Sequence, residues 1–157
     1  MAERSPDSAR RPPKTGPHVF TLGYQGRDLH EVLEVVRHHA IAQVLDVREN
    51  AASRKPGFAE ADLAAALAGI GVSYVHLADL GCAPASRHAL WRGEEGATFF
   101  EEYRRRLSKR PQAFADLLRQ VRAAPCLLLC LERDPSRCHR AVLAERLREV
   151  GVLVDHL

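Results

Sequence analysis

The stretch CLLLCLERDPSRCHRA, residues 126–141, runs from an apolar strand-like segment straight into the densest group of reactive side chains in the chain. Cys130, Glu132, Cys138 and His139 are its candidate catalytic groups: two thiols, a carboxyl and an imidazole. Asp134-Pro135-Ser136 has the form of a helix start, with Asp134 or Ser136 placed to cap free N–H groups. Those N–H groups and the helix dipole attract an anion. A thiol beside them tends toward thiolate, the form that attacks or ligates. Arg137 and Arg140 are three apart, so on a helix they share a face and could grip a phosphate, sulfate or carboxylate. Glu132 is out of place in such a cradle unless it serves as acid, base or clamp for an arginine.

Three readings compete for this cluster. Cys130 or Cys138 is a nucleophile under a helix-terminus anion hole, with Glu132 and His139 moving protons. Or Cys130, Cys138 and His139 hold a metal such as zinc. Against that stand the absence of paired C-x2-C knuckles and the rarity of adjacent Cys and His on one ion. Or the cysteines are small buried hydrophobes and the arginines a solvated helix face. For Cys126, in mid-strand, packing is the preferred reading. No cofactor is expected; zinc is the lesser alternative.

The elements that must position these groups follow from periodicity. HVFTLG (18–23) reads as a first strand, and residues 27–40 as a helix with Leu29, Val32, Leu33 and Val36 on one face. Strands are expected over 41–47, 72–77, 126–131 and 152–156. Helices are expected over 59–69, 97–109, 111–123 and 136–150, with residues 78–96 a long loop without period. This alternation predicts a single α/β domain over 18–157, an open, mostly parallel sheet of about five strands with helices on both faces. Ligands in such sheets bind beyond the carboxyl ends of the strands. There the first loop offers Tyr24 and Arg27, the second Asp46 and Arg48, and the fourth Arg137 and Arg140 as substrate-binding candidates. Asp46 and Arg48 read equally well as a structural ion pair.

Composition bounds the rest. The chain has 157 residues, 46% hydrophobic, and a net charge of +3. That is enough for one folded domain and excludes a disordered chain. Residues 1–17, rich in Arg, Pro, Ser and Ala, read as a disordered basic tail. No charged-then-apolar leader is present and no apolar run approaches the roughly 20 residues of a membrane span. The cytoplasm is the expected compartment, and the four cysteines are expected as thiols there. The basic tail and the run EEYRRRLSKR (101–110) leave weak nucleic-acid contact open. An oligomer through the helical pair 97–123 is also open.

TLGY, VLDVRENAASRKPGF, GVSYVHLADLG and LLLCLERDPSRCHRAVLAERL resemble, in that order, the motifs of domain-of-unknown-function family 488. The resemblance spans about residues 18–157, with the CHR segment and its upstream Glu as the most specific part. Tyr24-Gln25 stands where such chains usually show His-Ser, and Gly81-Cys82 where Gly-Gly is usual. The family implies the fold and the location of a site, and no agreed activity. A weaker resemblance is to the rhodanese-like layout, in which a strand-end Cys, here Cys130, forms a persulfide or faces an anion. The expectation is an enzyme acting on an anionic small molecule or nucleotide, through thiol or Glu132 chemistry. The alternative is a nucleic-acid-associated module.

Overall fold

The computed structural model describes residues 16–93 and 96–157. The basic tail lies outside them except for Gly16 and Pro17, whose carbonyl at Pro17 accepts the Leu153 amide at 2.9 Å. Five strands, β1 (His18–Gly23), β2 (Gln43–Asp46), β3 (Ser73–His76), β4 (Cys126–Cys130) and β5 (Leu153–His156), form one sheet in the order β3-β2-β4-β1-β5. Every pairing is parallel. All strand ends that lead into loops therefore lie along one edge.

β4 sits at the centre and explains the apolar run. Successive side chains of a strand alternate between faces. Cys126, Leu128 and Cys130 enter one core layer, while Leu127 and Leu129 enter the other. All five are fully shielded from solvent, and each fully buried leucine there contributes roughly 1.5–3 kcal/mol. The layer on the Leu127 side is closed by α1 (Leu29–His38) and α2 (Glu60–Ala68). The opposite layer is closed by α3 (Pro84–Trp91), α4 (Gly96–Ser108), α5 (Pro111–Ala123) and α6 (Arg140–Glu149). The expected architecture is thus the observed one. α1 also carries a complete capping box, in which Asp28 accepts from the Glu31 amide and Glu31 from the Asp28 amide.

Two elements differ from expectation. Residues 78–96 are not a continuous loop: a 3-10 turn spans Ala78–Leu80, and α3 follows. Pro84 begins α3 at a position needing no N–H donor, and only Leu90 of α3 is buried, so there is no apolar stripe to announce a helix. The expected helix over 136–150 is also split. Asp134 caps a 3-10 turn at Pro135–Arg137 by accepting the Ser136 amide at 2.9 Å, Cys138 is extended, and α6 starts only at Arg140. Arg137 and Arg140 therefore do not share a helix face.

Cys126 behaves as a packing thiol, donating to the Ala124 carbonyl at 3.0 Å. Burial pushes its pKa from 9.0 up to about 11. The unfolded thiol loses its proton first, so the unfolded chain binds fewer protons across that window, and stability falls as pH rises through it. We expect the urea midpoint to drop between about pH 9 and 11, and to drop less in Cys126→Ala. Identical slopes for the two proteins would contradict the assignment.

Candidate active site

The carboxyl edge of the sheet is built in layers, the deepest being an ion pair. Asp46, fully buried at the end of β2, receives Arg48 Nε at 2.8 Å and Nη2 at 2.6 Å. The Tyr74 hydroxyl donates to the same carboxylate at 2.5 Å. Arg48 Nη1 is spent on the Tyr24 hydroxyl at 3.0 Å and the Phe58 carbonyl at 2.9 Å. Burial opposes the guanidinium charge, but Asp46 outweighs it and raises the Arg48 pKa. Tyr24 is buried too, stacked on Phe58 at 4.3 Å. Of the two readings of Asp46 and Arg48, the geometry is that of the structural pair, with Tyr24 in its shell. Arg27 is half-buried nearby; its Nε has no hydrogen bond among the described residues.

A second clamp fixes the loop after β4. Arg140 is fully buried and donates from Nε to Thr21 Oγ1 at 3.2 Å, from Nη1 to the Glu132 carbonyl, and from Nη2 to the Arg133 carbonyl at 2.9 Å. Thr21 Oγ1 in turn meets His156 Nδ1 at 2.6 Å. Burial, with Arg148 and Arg140 nearby, lowers the His156 pKa and keeps that nitrogen an acceptor. Arg140 is thus committed to backbone carbonyls rather than open to a ligand. Gly23 lets the loop lie this close: a side chain there would collide with the Glu132 carbonyl and the Arg133 amide.

Above the clamps lie the thiols, Glu132 and His139. Cys130 and Cys138 are buried, and each Sγ is 3.9 Å from His139 Nδ1. His139 Nε2 donates to the Val47 carbonyl at 2.8 Å, which leaves Nδ1 facing the sulfurs. The Tyr103 ring walls the cluster at 5.1 Å from His139, its hydroxyl tied to the Leu80 carbonyl at 2.6 Å. Burial pushes the Cys138 thiol well up, with Cys130 adding to the effect. Burial opposes charge on His139, but the neighbouring Cys138 and Cys82 sulfurs outweigh it and raise the imidazole pKa.

Glu132 bridges this interior to the surface. Its Oε2 accepts from Cys130 Sγ at 3.4 Å. Its Oε1 lies 3.5 Å from Arg87 Nε of α3 and has no hydrogen bond among the described residues. The carboxyl lines a cavity of about 310 Å³ with Gln25, Trp91, Arg133, Asp134 and Arg137. Asp134 is engaged by Ser136, which lowers its pKa. Arg87 and Trp91 were outside the sequence reading, because the segment that carries them has no helical periodicity; the pairing of an Arg and a Trp one turn apart was the one available signal.

A family profile described as "Domain of unknown function DUF488" matches residues 28–147, which include both clamps' arginines, the sulfur cluster and Glu132. The chain belongs to the DUF488 family. Neither the curated proteins nor the solved structures contain a significant match to this DUF488 domain. The rhodanese-like layout is not confirmed, and Cys130 here faces the core rather than an open cradle. Among the described residues, no helix is long and apolar enough to cross a membrane. On α4 and its exit, Arg104, Arg106 and Arg110 pair with Glu145, Glu49 and Asp79, so much of that basic run is internally neutralised.

Proposed function

We propose that this DUF488 domain is a carboxylate-based enzyme acting on a nucleotide-like anion, with Glu132 as the catalytic residue and the thiols outside the chemistry. The observation that carries this reading is Glu132 Oε1: a shielded carboxylate oxygen with no hydrogen bond among the described residues, only the Arg87 charge 3.5 Å away, on the wall of an open, arginine-lined cavity. A buried carboxylate in that condition is costly unless a ligand or proton uses it. Cys130 is fully shielded behind it and donates to its other oxygen, which suits a positioning role better than attack.

The rest of the cavity suits the same substrate class. Arg137 is exposed and Arg133 lies beside it, a pair fit for phosphate. Trp91 is 41% exposed with the Arg87 guanidinium 5.4 Å from its ring, a platform on which a base can stack. Glu132 would then take a proton from water as that water's oxygen bonds to the sugar carbon. The carbon–nitrogen bond breaks, and its electron pair leaves with the base, which solvent protonates.

The test is incubation with nucleoside 5′-monophosphates, scoring free base by chromatography and binding by calorimetry. Base release is expected from at least one of them, reduced about a hundredfold or more in folded Glu132→Gln. Arg137→Ala should weaken binding by roughly tenfold. Turnover undiminished in Glu132→Gln would overturn the reading, as would an absence of binding by every nucleotide tried.

A further inference from the structure

The sulfur cluster below Glu132 has a geometry the proposed reaction does not use. We propose that Cys130, Cys138 and His139 bind one zinc-type divalent ion that ties the end of β4 to the corner before α6.

Three ligand atoms, the sulfurs of Cys130 and Cys138 and an imidazole nitrogen of His139, lie within 4.8 Å of one another. Tetrahedral zinc, with Zn–S near 2.3 Å and Zn–N near 2.05 Å, holds sulfur and nitrogen roughly 3.6 Å apart. Both sulfur–Nδ1 separations are 3.9 Å, so closing on an ion needs shifts of only a few tenths of an ångström. The three donors form a Cys2His set. That donor set is soft, and it favours zinc over the oxygen-seeking cations.

The backbone answers the objection that adjacent Cys and His rarely share an ion. Cys138 is extended, with φ −139° and ψ 142°, and His139 turns into the helical region, with φ −58° and ψ −19°. That corner brings the two side chains to one side. Metal-bound histidines usually donate their other ring nitrogen to a carbonyl or carboxylate, which fixes the ring. His139 Nε2 makes this bond to the Val47 carbonyl at 2.8 Å. A cavity of about 160 Å³, lined by Cys82, Ser86, Glu102 and Tyr103, adjoins the Tyr103 ring that walls the cluster. The bound ion would join the end of β4 to the corner before α6, while the thiols release their protons to solvent.

The experiment uses the untagged full chain, expressed with zinc and analysed by elemental mass spectrometry, with Co²⁺ loading of the apo form as a spectroscopic probe. About one zinc per chain is expected, together with the intense d–d and sulfur-to-cobalt bands of a tetrahedral thiolate site. Cys130→Ser and Cys138→Ser should each lower zinc affinity by roughly tenfold or more, whereas Cys126→Ala, a buried thiol outside the cluster, should leave it unchanged. If the wild-type chain takes up no zinc and gives no cobalt–thiolate bands, the proposal fails, whatever the variants do. It fails equally if zinc is bound undiminished in both serine variants. None of these readings depends on turnover, so they stand apart from the test of Glu132.

Discussion

Asp46→Asn should cost about 3–5 kcal/mol of stability, the range for removing one partner of a buried ion pair. The substitution preserves volume and shape, so the loss isolates charge rather than packing. Arg48 would be left only 3% exposed, with a guanidinium charge and no carboxylate to answer it. Its remaining acceptors, the Tyr24 hydroxyl and the Phe58 carbonyl, are neutral. Tyr74 would also lose the anionic acceptor of its hydroxyl. The melting temperature should fall by roughly 10 °C for a domain of this size, and the double variant Asp46→Asn, Arg48→Met should recover part of that loss. A single variant melting within about a degree of wild type would show that the pair is dispensable.

Gly23→Ala should do comparable damage by a different route. The new methyl group would enter space already held by the Glu132 carbonyl and the Arg133 amide, which are backbone and cannot rotate away. Either β1 separates from the loop or the loop moves outward. Arg140, which holds the Glu132 and Arg133 carbonyls, resists the second route. Overpacking of this kind costs about 1–3 kcal/mol and occasionally more. The functional loss should exceed the structural one, because displacing a catalytic group by about 1 Å can cost on the order of a hundredfold in turnover. Urea unfolding and base release on the same preparation would check both. Wild-type turnover in a folded Gly23→Ala protein would separate Glu132 from the chemistry assigned to it.

Much of this edge is legible in the sequence, and the parts that are not share a cause. The run CLLLCL announces a doubly covered central strand because every position is apolar, and β4 is that strand. DVR was legible as a possible ion pair because a charge at the end of a buried strand needs a partner. Arg140 was not legible as a loop clamp: arginine three residues from another arginine reads as a solvated face until the backbone shows that α6 begins at Arg140 itself. The DPS motif misled for the same reason, since Asp134 caps a one-turn 3-10 segment as readily as a helix. Arg87 and Trp91 escaped because α3 buries one side chain, so burial left no periodic trace. Local pattern reports which residues meet the core; it does not report which meet each other across the sheet edge.

The thinness of α3's attachment has a consequence for how such a domain could diversify. Leu90 is the one buried side chain of α3, yet the helix supplies Trp91 to the cavity wall and sets Arg87 against Glu132. The groups beneath, from Asp46 to Arg140, are interlocked so tightly that most replacements there would threaten folding. Changes of ligand preference are therefore cheapest on α3, where an altered side chain reshapes the mouth of the cavity and leaves the frame intact. A randomised library over Arg87 and Trp91 is the natural starting point for redirecting this site.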